Sequence, residues 1–102
     1  MSDAPELRPL QQAELDAKGV RELAADLEAL AVVHEVRVKQ RARAMSDEGQ
    51  LALRSALAAL EDGELTGVQI LYTFDGRRWL DTLIATAAGT RLVRNPVPGA
   101  PA

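Results

Sequence analysis

The dipeptide Asp75-Gly76 constrains the fold of this chain more than any other sequence feature. It lies between two runs rich in β-branched and aromatic residues, 68–74 and 77–84. Asp-Gly favours the two-residue turn of a β-hairpin, because both residues tolerate a positive φ. A second loop, at 87–89, precedes another short run at 90–94. We therefore predict a three-stranded antiparallel meander over residues 68–94.

A two-residue turn also predicts which residues of the hairpin face each other. The predicted pairs are Phe74 with Arg77, Tyr72 with Trp79, Ile70 with Asp81 and Val68 with Leu83. All three aromatic residues of the chain then share one face, on which Asp81 is an acidic exception. The opposite face is predicted to carry Leu71, Thr73, Arg78, Leu80, Thr82 and Ile84. Whether Leu92 or Val93 joins the aromatic face stays open, because the second loop does not fix the register.

Two amphipathic helices are predicted upstream of the meander. The first runs from about Ala17 to Leu30 or Ala31, where apolar residues recur at helical spacing. Residues 10–17 add at most a short helical turn before it. The second helix begins with Ser46 as its N-cap, because a serine followed by two acids suits a helix N-terminus. It carries a leucine stripe at positions 53, 57 and 60, and Gly63 is placed to end it.

The stretch 32–43, V-V-H-E-V-R-V-K-Q-R-A-R, separates the two helices. With a period of two, its valines and His34 fall on one face, and its charged residues fall on the other. This alternation and the β-branched content predict a strand. The alternative is a first helix that continues to Ala44.

These elements predict an α+β fold, with two amphipathic helices packed on one face of a small antiparallel sheet, in the order α-β-α-β-β-β. At 102 residues the chain has room for one domain. We place that domain at residues 11–94, between a flexible arm at 1–10 and a disordered proline-rich tail at 95–102. The meander is similar to those of small bacterial α/β proteins, but it carries no motif diagnostic of a family.

Composition excludes several kinds of chemistry. The chain has no cysteine, so disulfides, thiolate nucleophiles and zinc–thiolate sites are excluded. The net charge of −3 argues against a surface built throughout to bind phosphate. No apolar run is long enough to cross a bilayer, and the N-terminus lacks the pattern of a secretory signal. These features predict a cytoplasmic protein without a membrane partner.

The residues that are candidates for catalysis do not combine into a site. His34 is the only histidine, which excludes sites that need two. Asp81 could be a general acid with a shifted pKa, but a pair with an arginine such as Arg77 is the simpler interpretation. The glycines match no phosphate-binding motif, and the acidic clusters lack the spacing of a calcium loop. We therefore predict no enzyme activity, no cofactor and no metal.

Two binding functions remain. The first is a protein-interaction module that self-associates as a homodimer, or binds another protein, through the face opposite the aromatic residues. Its predicted contact residues are Leu71, Leu80 and Ile84, with Thr73, Thr82 and Arg78 as their rim. The alternative is a nucleic-acid-binding module that uses the alternating cations Arg37, Lys39, Arg41 and Arg43. On a strand these would be spaced about 6.6–7 Å apart, close to the repeat of a phosphate backbone.

Overall fold

The computed structural model describes residues 11–40 and 52–97. Their elements, in chain order, are β1 (Gln11–Leu15), α1 (Ala17–Leu30), β2 (Val32–Gln40), α2 (Leu53–Glu61), β3 (Leu65–Phe74), β4 (Arg77–Thr86) and β5 (Gly89–Pro96). The strands form one antiparallel sheet in the order β1-β5-β4-β3-β2. The predicted α+β class is confirmed. The predicted element order is wrong at its start, because it lacks β1.

Strand β1 replaces the short helical turn that the sequence predicts at residues 10–17. It pairs with β5, so that Ala13 faces Leu92 and Leu15 faces Thr90. Gly89 allows this close approach: its φ is +148°, and a Cβ there would lie 2.7 Å from the carbonyl oxygen of Leu15. The pairing with a distant strand decides the structure of residues 11–15, and a local pattern does not contain that information.

Helix α1 has the bounds that the sequence predicts. Its N-cap is Asp16, whose carboxylate accepts a hydrogen bond of 2.8 Å from the backbone N–H of Gly19. Val20, Ala24 and Leu27 form its buried face. The 14-residue helix is about 21 Å long, and five strands span about 19 Å. Helix α1 is therefore long enough to link β1 and β2, which form opposite edges of the sheet.

Residues 32–40 form strand β2, so the interpretation as a helix extension is wrong for them. The predicted common face is wrong for Val32 and His34, however, because the register shifts between Val33 and Glu35. This irregularity inserts His34 as an extra residue, which changes the phase of the alternation. Val36 is buried, as is Val38, whereas Val32 is 61% exposed. Arg41 and Arg43 lie outside the described residues.

Helix α2 begins later than predicted. The backbone of Ala52 is extended, so the helix starts at Leu53 and does not continue from Ser46, which lies outside the described residues. The predicted leucine stripe is buried. The predicted stop is confirmed, because Gly63 follows the helix with a φ of +84°. Beyond it, the N–H of Glu64 bonds to the carbonyl oxygen of Ala59 at 3.0 Å.

The meander forms with all four predicted hairpin pairs. Asp75 and Gly76 have φ values of +56° and +81°, as a type I′ turn requires. Strand β5 runs from Gly89 to Pro96, so it is longer than the predicted 90–94 and includes the first two residues of the predicted tail. Val97 follows the strand, and its N–H donates to the carbonyl oxygen of Arg78 at 3.0 Å. The rest of the tail, 98–102, and the arm, 1–10, lie outside the described residues, and the single domain stays a prediction.

One hydrophobic cluster joins the sheet and both helices. Its buried members are Val20, Ala24, Leu27, Val36, Val38, Leu53, Ala56, Leu57, Leu60, Leu65, Val68, Ile70, Tyr72, Trp79, Leu83 and Leu92. Leu92 faces Leu83 in this cluster, which settles the question that the second loop left open. Neither of the helices in the described part of the chain is long and apolar enough to span a membrane.

Candidate functional site

The two faces of the sheet differ in chemistry. One side of the sheet carries Val68, Ile70, Tyr72, Trp79 and Leu83, which all belong to the hydrophobic cluster. We call this side the core face. The residues that alternate with them form the other side, which we call the open face. The buried residues of α1 and α2 belong to the cluster on the core face. The open face is therefore the side on which a partner could lie.

The strand register arranges the open face in rows that run across the sheet. Each row is given from β2 towards β1. The first row is Lys39, Gly67, Ile84, Arg91 and Glu14, and the middle row is Arg37, Gln69, Thr82, Val93 and Gln12. The third row is Glu35, Leu71, Leu80 and Asn95, and the fourth row is Val32, Thr73 and Arg78. All six residues of the predicted contact surface thus lie on one face. That they contact a partner stays a prediction.

Four apolar residues of the open face form a bent stripe around Thr82, and Val32 in the fourth row is a fifth apolar residue on this face. Leu71 directly faces Leu80 in the third row, Val93 lies in the middle row, and Ile84 lies in the first. Ile84 is 43% exposed, and the other three are partly exposed. Sequence reasoning missed Val93, because only the register of the β4–β5 hairpin places it on this side. Thr73, Thr82 and Arg78 lie on the same face, Thr82 between Leu80 and Ile84 on β4 and the other two in the fourth row; that they form a rim stays a prediction.

A groove of about 410 Å³ interrupts the first row at Gly67. Gly67 has no side chain to fill the space between Lys39 on β2 and Ile84 on β4. A Cβ at this position would lie 3.4 Å from the carbonyl oxygen of Leu83 and 3.9 Å from the Cβ of Lys39, which are ordinary contacts. The φ of Gly67 is not positive, so the backbone does not require glycine here. The groove is thus a feature of the surface, and the fold would tolerate a side chain in it.

The charges of the open face are partly paired and remain in contact with solvent. Arg37 Nε donates to Glu35 Oε2 at 2.6 Å, and Arg91 Nε donates to Glu14 Oε2 at 3.3 Å. The hydrogen bond to Glu35 raises the pKa of the Arg37 guanidinium. Both arginine side chains are more than half exposed, so these pairs add little stability. Within 11–40 and 52–97, Lys39 has no carboxylate partner within 4.0 Å.

The same arrangement offers limited support for the nucleic-acid alternative. Arg37 and Lys39 do lie together on the open face, but Glu35 already pairs with Arg37. Tyr72 and Trp79 are buried on the core face, where they cannot stack on bases. A mobility-shift assay at low salt tests this alternative, since binding through phosphate contacts weakens steeply as salt rises.

His34 also lies on the open side of the sheet. Its Nε2 is 2.7 Å from Thr73 Oγ1, and both residues lie beside the irregularity in β2. Among the described residues, no group of three or more His, Asp or Glu side chains is placed to hold a metal ion. The hydrogen-bond contact that the described residues show for the His34 side chain is the one with the Thr73 hydroxyl.

Asp81 is fully buried on the core face and belongs to a network of three side chains. Its Oδ1 accepts a hydrogen bond of 2.9 Å from the Tyr72 hydroxyl and one of 2.8 Å from Arg94 Nε, and its Oδ2 accepts one of 2.8 Å from Arg94 Nη2. The Arg94 guanidinium carbon also lies 5.9 Å from the centre of the Tyr72 ring. The predicted pair with Arg77 is wrong, because Arg77 faces Phe74 at the hairpin end, whereas Arg94 faces Asp81 directly.

Burial and the neighbouring charge of Asp81 raise the pKa of the Tyr72 hydroxyl, and the positive charge of Arg94 opposes this effect only in part. The hydrogen bond to Asp81 raises the pKa of Arg94. The Asp81 carboxylate thus favours the charged form of Arg94 and the protonated hydroxyl of Tyr72, which is a structural role. The indole N–H of Trp79 is the one buried side-chain polar atom without a hydrogen-bond partner in the described part of the chain.

A second exposed apolar region lies at one end of the sheet. Leu30 is 66% exposed and Phe74 is 37% exposed, and both line a cleft of about 190 Å³ with Arg94. Ligand pockets commonly have volumes of roughly 300–1,000 Å³, so this cleft is small for a ligand site.

Comparison with known proteins assigns no relatives to this chain: no family model matches it, and no curated protein or solved structure is significantly similar to it. Its function therefore has to be argued from the open face itself.

Proposed function

We propose that this chain is a non-catalytic interaction module that self-associates through the open face of its sheet. One observation carries the proposal: Leu71, Leu80, Val93 and Ile84 lie together around Thr82 as a bent apolar stripe on the side opposite the core. Contiguous apolar patches on soluble proteins commonly mark contact sites. A second copy is the simplest partner, because one patch that meets itself closes a symmetric dimer. The cytoplasmic location stays a prediction.

The size of the open face supports a reversible association. Strands β2 to β5 contain eight to ten residues each. Four strands about 27 Å long and the five-residue β1, about 17 Å long, at a spacing of about 4.8 Å give the face a projected area of roughly 500 Å². Side-chain relief makes the accessible area larger, which brings it towards the roughly 800 Å² per partner of an ordinary stable interface. We therefore expect a dimer at the weak end of the range.

Light scattering over a concentration series tests the proposal, with Leu80→Lys as the disrupting variant. Leu80 lies at the centre of the stripe, so a lysine there would have to be buried in the dimer without a partner. The wild type is expected to approach twice the monomer mass as its concentration rises from roughly 1 to 500 µM, the range suited to a weak interface. Leu80→Lys is expected to stay monomeric.

Ala25→Lys is the matched control, because Ala25 is exposed on α1 and belongs to neither sheet face. It adds the same charge and is expected to behave like the wild type. A wild type that stays monomeric throughout the series would disprove the proposal. So would a Leu80→Lys variant that dimerises as tightly as the wild type.

A further inference from the structure

We infer that two copies pack face to face, with their strands antiparallel, about a two-fold axis that crosses the strands at the middle row of the open face. This inference rests on the proposed self-association and specifies its geometry. It follows from the register of the rows, the groove at Gly67 and the distribution of charge.

In the aligned class of sheet packing, which we take for this dimer, the strand directions of the two sheets lie within about 30° of each other. A two-fold axis that lies between two such faces therefore runs either roughly along the strands or roughly across them. An axis across the strands at the middle row places the first row of one copy on the third row of the other. An axis along the strands, between β3 and β4, places each row on the same row of the second copy. Strand β3 of each copy then faces β4 of the other.

The crossing axis matches the shapes of the two faces. The Leu71 side chain of each copy then faces Gly67 of the other, where the groove of about 410 Å³ has room for it. Ile84 of each copy faces Leu80 of the other, and Val93 faces its own equivalent. Every apolar residue of the stripe thus meets an apolar residue or the groove.

The crossing axis also matches the charges on β2. Lys39, in the first row, faces Glu35 of the second copy, in the third row, and this contact occurs twice in the dimer. Arg37 faces its own equivalent, but at the edge strand, where its side chain is 66% exposed and pairs with Glu35. Solvent and this pair screen the like charges.

The axis along the strands gives an inferior match. With this axis, Leu71 of each copy faces Leu80 of the other in the third row, and Ile84 faces Gly67 in the first row. However, Lys39 on β2 then faces Arg91 of the second copy on β5, because this axis exchanges the flanking strands within a row. Two like charges then face each other at both ends of the interface; the pair of Arg91 with Glu14 screens them in part, but this axis brings no opposite charges together to compensate. The charge pattern therefore favours the crossing axis.

Charge reversal at Lys39 distinguishes the two arrangements when the dimer dissociation constant is measured by sedimentation equilibrium. With the crossing axis, Lys39→Glu is expected to weaken the dimer roughly 3- to 30-fold, as for the loss of two exposed ion pairs. The double variant Lys39→Glu with Glu35→Lys is expected to restore the wild-type constant, because it exchanges the two charges and leaves Arg37 between an acid and a base. With the other axis, Lys39→Glu would face Arg91 and tighten the dimer.

Filling the groove provides an independent measurement. Gly67→Val is expected to leave the monomer folded, since its Cβ makes ordinary contacts and β-branched residues suit strands. It is expected to weaken the dimer at least about tenfold, because Leu71 of the second copy loses its space. Ala25→Val, which adds a valine side chain on the exposed side of α1 outside both sheet faces, is the control and is expected to leave the dimer constant unchanged.

The outcomes separate this arrangement from the proposed function. A monomeric wild type would overturn both. If the wild type is dimeric, either of two results would overturn the crossing arrangement and leave self-association standing. The first is a tighter dimer in Lys39→Glu. The second is an unchanged dissociation constant in Gly67→Val while Trp79 fluorescence reports a native core. Weakening by Lys39→Glu and by Gly67→Val, with restoration in the double variant, supports the arrangement.

Discussion

The two faces of the sheet use the same strands in opposite ways. Strand β5 supplies one arginine to each face: Arg94 pairs with the fully buried Asp81, whereas Arg91 pairs with Glu14 in contact with solvent. On the core face, apolar residues are buried and the one carboxylate has its hydrogen-bonding groups satisfied inside the protein. On the open face, charges remain exposed and the apolar stripe is only partly covered. The core face therefore stabilises the fold, whereas a substitution or a bound partner on the open face changes the stability of the fold little.

The largest expected effect comes from removing one member of the buried ion pair. Arg94→Met leaves the Asp81 carboxylate buried with only the Tyr72 hydroxyl as a donor. We expect it to lower the free energy of unfolding by about 3–5 kcal/mol, as for other broken buried pairs. Urea unfolding, followed by the fluorescence of the single tryptophan, measures the change.

Arg91→Met is the matched control for this comparison, since it makes the same substitution three residues earlier on β5. Its partner Glu14 is exposed, so the expected loss is below about 1 kcal/mol. Equal effects of the two substitutions would show that the contrast between the faces is incorrect.

Two glycines extend the comparison to the backbone. Gly89→Ala is expected to cost about 1–3 kcal/mol, because its φ of +148° strains an alanine and the new Cβ would lie 2.7 Å from the carbonyl oxygen of Leu15. Gly67→Ala on the open face has no such conflict. It is expected to be neutral or to stabilise by up to about 1 kcal/mol, because a strand glycine is entropically unfavourable. Thermal unfolding of both variants tests this, and a stable Gly89→Ala would contradict the docking of β1.

The smallest effect concerns alkaline pH. The folded-state pKa of Tyr72 is raised above the ordinary value of 10.0, chiefly by burial. Its contribution to stability is therefore complete below pH 10.0 and is lost above it, as the unfolded chain ionises first. The loss should reach about 1 kcal/mol near pH 11, because the slope approaches roughly 1.4 kcal/mol per pH unit.

The chain contains one tyrosine, so the ultraviolet absorbance of tyrosinate follows this ionisation directly. Tyr72→Phe is the control: it is expected to be less stable at neutral pH by about 1 kcal/mol, through loss of the hydrogen bond to Asp81, and to lack the tyrosine contribution above pH 10. A tyrosine that titrates at its ordinary pKa in the folded protein would contradict a buried network.

The elements fixed by local chemistry could be predicted from the sequence, and those fixed by distant contacts could not. The Asp75-Gly76 turn determines its own geometry, so the pairing of β3 with β4, and the residues that these two strands contribute to the open face, could be predicted directly. Helix α1 could be read from its periodicity. Strand β1 could not, because five residues with a weak pattern depend on β5 for their structure.

The site shows the same division. Leu71 and Leu80 were predictable because they lie within one hairpin. Val93 and the pairing of Asp81 with Arg94 required the register of the second hairpin, whose loop does not determine it. The irregularity in β2 changes the face of Val32 and His34, and no residue type in that stretch requires it. Long-range pairing, rather than composition, determines these positions.

Methyl NMR spectra of the wild type, recorded over a dilution series, test the central claim most directly. The claim is that the open face binds a second copy while the core face does not change. It predicts concentration-dependent shifts for the methyl groups of Leu71, Leu80 and Ile84, and constant positions for those of Leu57 and Leu83 in the core. Spectra that are independent of concentration, or shifts confined to Leu30 at the other end of the sheet, would contradict it.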